Sequence, residues 1–122
     1  MMMTALVRSF LSLEASVFGA AALIHAGVLV SGYEHAKART AETVIVLALV
    51  AGLVATIMAP RSSRGIGLAA QSFALAGTLV GLLTIAVGVG PRTALDLTLH
   101  AAMVALLVSG LLLVARRRPI AG

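Results

Sequence analysis

Cysteine and tryptophan are absent from the 122-residue chain, aromatic residues make up only 3% of it, and charged residues only 11%. Without cysteine there is no disulfide, no thiolate metal site, no iron–sulfur cluster and no cysteine nucleophile. No phosphate-binding glycine loop, nucleophile–base–acid set, H-E-x-x-H motif or CxxCH haem attachment occurs, which leaves no motif-level case for an enzyme. Arg64-Gly65-Ile66-Gly67 is glycine-rich but lacks the rest of a phosphate-binding pattern and reads as a helix-start linker. What remains is apolar: 61% of the residues are hydrophobic, a composition that excludes a soluble globular domain and indicates a membrane protein.

A helix needs roughly 20 mostly apolar residues to cross about 30 Å of hydrocarbon. Four segments qualify, at about 9–32, 42–59, 66–88 and 94–115. The connections between them are short, so neighbouring helices run antiparallel in an all-α, up-down-up-down four-helix bundle forming one transmembrane domain. Pro60 stops the second helix, and Gly88, Gly90 and Pro91 break the chain before Arg92. A cleaved signal peptide is the alternative for the first span, given Arg8 and the small stretch Gly19-Ala20-Ala21-Ala22. Against it, the apolar run continues to Val30 and Glu14 interrupts it.

The nine basic residues set an expected orientation, because cytoplasmic loops hold an excess of Lys and Arg. Arg8, Arg61, Arg64 and Arg116–Arg118 fall on one side, and Lys37, Arg39 and Arg92 on the other. Both termini are therefore expected on the cytoplasmic side of a bacterial inner membrane. The net charge of +5 reads as a topology signal and an anchor to anionic lipid, with no nucleic-acid partner.

Helices in lipid associate through small residues, which makes Gly77-x-x-x-Gly81 a plausible packing face; Ala48-x-x-x-Gly52 and Gly27-x-x-x-Ser31 are similar. Such spacing does not distinguish contacts within the bundle from contacts between copies. A faint 2+2 repeat lays Leu13-Glu14-Ala15-Ser16 on Ala70-Gln71-Ser72-Phe73, and Arg39-Thr40-Ala41-Glu42 on Arg92–Asp96. Shared capping needs account for much of that likeness, since acids favour helix starts.

An ionisable side chain inside a span is costly and normally faces the bundle interior, so it is a functional candidate by default. Glu14, His25, Asp96 and His100 meet that description. Glu14 and His25 are 11 residues apart and share one stripe of the first helix, while Asp96 and His100 are stacked at i,i+4 on the fourth. His25 lies eight residues before Tyr33 and His100 eight after Arg92, which puts both about 12 Å below the same outer surface. Glu14 is expected near the inner boundary, at the depth of Gln71. Glu34, His35 and Glu42 read as a solvated interfacial loop.

Three chemistries fit a level His pair with carboxylates above it. A proton relay would use Asp96, His100 and His25 and later Glu14. A divalent metal would take His25, His100 and Asp96. A haem b would take His25 and His100 as axial ligands. The bland competitors are a histidine bonded to a carbonyl or a neighbouring carboxylate, and an Asp96 that only stabilises a helix start.

Four short helices, both termini inside and one acid deep in the first helix resemble the small multidrug resistance transporters, in which a membrane-embedded Glu exchanges protons for cationic drugs. Glu14 is the matching position. The Trp and Tyr residues that line those sites are missing here, and the histidines have no counterpart there. The leading expectation is an oligomeric transporter or channel-like protein, a homodimer or part of a larger membrane complex, moving a proton, cation or small solute. A haem- or metal-binding subunit of an electron-transfer complex is the alternative. An accessory or assembly subunit, whose only chemistry is packing at Gly77 and Gly81, is a third.

Overall fold

A computed structural model describes residues 2–118. They form four helices and no strand: α1 (Met2–His25), α2 (Ala36–Met58), α3 (Ser63–Ala86) and α4 (Ala94–Arg116), with a single 3-10 turn at Pro60–Ser62 leading into α3. All four are long and apolar enough to cross a membrane. Short connections make consecutive helices antiparallel; α1 packs on α2, α3 and α4, and α3 packs on both α2 and α4.

In α1, α2 and α4 the buried residues follow a three-four rhythm. Val7, Leu11, Glu14, Phe18, Ala21 and His25 are the buried residues of α1; Glu42, Ile45, Leu49, Gly52 and Thr56 those of α2. Asp96, His100, Met103, Leu107, Gly110 and Val114 repeat the pattern in α4. Alternating steps of three and four average 3.5 residues per turn, the period of left-handed helix packing. The stripe on each helix is narrow because the other faces meet lipid, so leucines and valines such as Leu47, Val80 and Leu83 are exposed on the protein's outside.

Glycine sets the distance between helices. A methyl group on Gly67 would meet Val7 at 2.6 Å, and one on Gly52 would meet Ala70 at 2.9 Å, so α1 and α3, and α2 and α3, touch backbone to side chain there. Gly77 sits against Ile45 of α2 and Gly81 against His100 of α4. The Gly77–Gly81 face is thus used inside the bundle, one glycine for each neighbouring helix.

Each helix end has an identifiable partner for its last carbonyls. Gly27 (φ 76°) and Gly88 (φ 87°) close α1 and α3 in the same way. In the first, Val28 N–H donates to Leu23 O and Gly27 N–H to Ile24 O; in the second, Val89 N–H donates to Thr84 O and Gly88 N–H to Ile85 O. Arg8 donates to Thr56 O at the end of α2, Arg64 to Ala115 O at the end of α4, and Arg92 to Ile85 O and Ala86 O at the end of α3.

The first span runs seven residues earlier than 9–32, and the second begins at Ala36 and not at 42. Met2, Met3, Ala5 and Leu6 are good helix formers and Val7 extends the buried stripe, while the left-handed Gly27 ends the helix, which leaves Val28, Leu29 and Val30 outside it and exposed. At α2, the His35 ring accepts from Ala38 N–H at 3.1 Å and so caps the helix about two turns before Glu42. Consequently Arg39-Thr40-Ala41-Glu42 lies within α2, whereas Arg92 and Thr93 precede α4; the shared feature of the two halves is the glycine that ends α1 and α3.

Candidate functional site

Two polar clusters interrupt the apolar interior. The first lies at the end of the bundle that carries all three histidines. His25, the last residue of α1, donates or accepts through both ring nitrogens: Nδ1 is 2.7 Å from Glu42 Oε2 and Nε2 is 2.7 Å from Asp96 Oδ1. Three helices are thereby joined through one buried imidazole, whose relative exposure is 1%. Asp96 has a second task. Its Oδ2 accepts from Thr93 N–H at 3.0 Å and from the Thr93 hydroxyl, which in turn accepts from Asp96 N–H, forming a capping box that starts α4.

His100 is close by but plays no part in that chain. Its Nδ1 donates to Asp96 O at 2.8 Å; a carbonyl only accepts, so the proton is on Nδ1 and Nε2 keeps its lone pair when the ring is neutral. Nε2 faces Gly81, where an added methyl would stand 3.2 Å away.

The second cluster lies 11 residues further along the His25 stripe, about 16 Å away. Glu14 is at the middle of α1 rather than near its end, because the helix starts at Met2. Both its carboxyl oxygens, and Gln71 Oε1 of α3, are buried and accept no hydrogen bond. The Gln71 amide nitrogen donates to Gly67 O at 3.2 Å, which fixes the amide with its oxygen toward α4. A methyl on Gly110 would lie 2.9 Å from Glu14 Oε1 and nearer still to Gln71 Oε1, so the two oxygens converge on the bare backbone of α4.

The structure therefore divides the five polar positions picked out in the sequence into two groups. His25 and Asp96 belong to the first with His100 beside them, and Glu14 and Gln71 form the second. Glu42, read as interfacial, is a full member of the first cluster at 5% exposure. Its spacing from Ile45, Leu49, Gly52 and Thr56 places it on the buried stripe; taking it as the first residue of the helix is what put it at the interface. His25 and His100 do not present a shared ligand position, since both nitrogens of His25 are spent on carboxylates. Among the described residues no group of three or more His, Asp or Glu is disposed to hold a metal ion. An axial haem role for His25 would require it to release one of its two carboxylates and leave that charge buried without a partner, at a cost of several kcal/mol, about 3–5.

No family model, curated protein or solved structure matches the chain. The functional reading rests on the geometry of the two clusters.

Proposed function

We propose that this small membrane protein moves protons, alone or coupled to a small solute, with Glu14 as the group that takes up and releases them. The observation that carries the reading is the acceptor-only composition of the middle cluster. Glu14 Oε1 and Gln71 Oε1 converge on Gly110, and neither they nor Glu14 Oε2 has a hydrogen-bond donor, a basic partner or exposure. An ionised carboxylate in that setting has nothing to replace its water. A proton on Glu14 supplies the missing donor, and Gln71 Oε1 is the acceptor beside it. A site completed by a proton and incomplete without one has the property a proton carrier needs.

The Glu42–His25–Asp96 chain supports the same reading from the other end. Imidazole between two carboxylates exchanges protons on either side, and Glu42 and His25 lie toward the end of the bundle that is expected to face away from the cytoplasm. Between the clusters stand Phe18, Ala21, Ala74 and Met103, an apolar layer that keeps the two stations apart. In this reading both termini are cytoplasmic, the membrane is a bacterial inner membrane, and two copies pair, because a four-helix chain of this size encloses little path alone.

The test is proton flux into vesicles holding the purified protein, followed with an entrapped pH-sensitive dye under an imposed gradient. Glu14→Gln keeps the shape of the side chain and removes the titrating group. Its protein-dependent flux should fall to that of empty vesicles while insertion and helix content are kept. Flux equal to that of the unmodified protein would overturn the proposal and favour a role confined to helix packing.

A further inference from the structure

The histidine end contains a cavity of about 130 Å³ between α2, α3 and α4, which shares only Glu42 with the proton chain. Its interior is walled by Phe18, Ile45, Gly77, Gly81 and Met103, and its polar lining is Glu42, His100, Thr78 and Thr84, with Lys37 and His35 also present. The volume is near the roughly 150 Å³ of an apolar cavity that accepts a benzene-sized guest. Glycine makes the space: a side chain at Gly81 would fill the region in front of His100 Nε2.

Charge counting gives the cavity a sign. His25 lies between two carboxyl groups, both at 2.7 Å. An imidazolium between two carboxylates, and a neutral imidazole between one carboxylate and one carboxylic acid, both fit these contacts, and in each the trio carries one negative charge. Asp96 has its share met by Thr93 and by the start of α4. Glu42 has no such help, and among the described residues no lysine or arginine pairs with a carboxylate; Lys37 is exposed to solvent. The hydrogen-bonding groups deep in the cavity are acceptors as well: Glu42 is a carboxyl bonded through Oε2 to His25, and His100 Nε2 carries a lone pair because Nδ1 holds the ring proton. The hydroxyl of Thr78 is spent on Ala74 O and that of Thr84 on Gly81 O.

We propose that this cavity binds a small primary ammonium ion, of the size of n-butylammonium or less. Its positive charge balances the surplus on the Glu42–His25–Asp96 chain, its N–H groups donate to Glu42 and to His100 Nε2, and its alkyl body rests on Phe18, Ile45 and Met103. The site is independent of Glu14, so either proposal can fail without the other.

The experiment is calorimetric titration of the full chain in lipid nanodiscs with n-butylammonium, using empty nanodiscs as the blank. Saturable binding is expected, weakened about tenfold or more for tetramethylammonium, which has the charge but no N–H donor. Gly81→Val, which fills the space before Nε2, and Glu42→Gln, which keeps a hydrogen bond to His25 but removes the charge, should each weaken n-butylammonium by about tenfold or more. Heats no larger than the blank, or equal affinity for the two ions, would overturn the proposal without any variant. Unchanged binding in a folded Gly81→Val would overturn it too.

Discussion

The histidine end and the middle of the bundle solve opposite problems with the same kind of residue. At the histidine end every atom that joins the helices is paired: His25 uses both nitrogens, Asp96 uses both oxygens, and Thr93 closes the box. In the middle, Glu14 and Gln71 bring three acceptors together and pair none of them. A fully connected buried network fixes one arrangement of the helices. An unpaired one costs stability unless something arrives to complete it, and tolerance of that cost is the mark of a working group. Burial alone does not separate the two clusters; the hydrogen-bond count does.

The largest effect that would sharpen this contrast is expected at His25. Removing the imidazole in His25→Ala leaves Glu42 and Asp96 facing an empty space inside the bundle, at a cost of about 3–5 kcal/mol. Denaturant unfolding in mixed micelles measures it, and Glu14→Gln serves as the comparison: replacing an unpaired acid by an amide that can donate should leave stability unchanged or raise it. Equal losses in the two variants would break the distinction between a paired end and an unpaired middle. A smaller effect is expected at Gly110. An alanine there must push aside both Glu14 Oε1 and Gln71 Oε1, and overpacking of that kind costs about 1–3 kcal/mol. Gly19→Ala, where an added methyl meets nothing within 4 Å, is the control and should change stability by less than about 1 kcal/mol.

Much of the fold was legible because composition and span length leave few choices: four apolar stretches separated by short polar connections make a four-helix bundle. The helix starts were less legible, and the site was misplaced with them. Reading α2 from Glu42 put that acid at the water interface, since nothing in the run Ala36–Ala41 is apolar enough to mark a span. The helix begins there all the same, because Ala, Lys and Arg favour helix and His35 caps it. Reading α1 from Ser9 moved Glu14 toward one surface, when the early methionines extend the helix and put it in the middle. Stripe position survived these errors, because it depends on spacing and not on boundaries: Glu14 and His25 do share a face, and both are buried. Pairing was beyond the sequence. His25 and His100 sit at the same end, yet only the three-dimensional packing decides that His25 reaches two carboxylates while His100 turns to its own helix.

The central claim is that Glu14 gains and loses a proton inside the bundle, and infrared difference spectroscopy reads that event directly. A pH step applied to the protein in lipid should raise or remove a carboxylic-acid carbonyl band reversibly, and the band should be missing from the Glu14→Gln difference spectrum. A spectrum in which that variant shows the same carbonyl band as the unmodified protein would contradict the account.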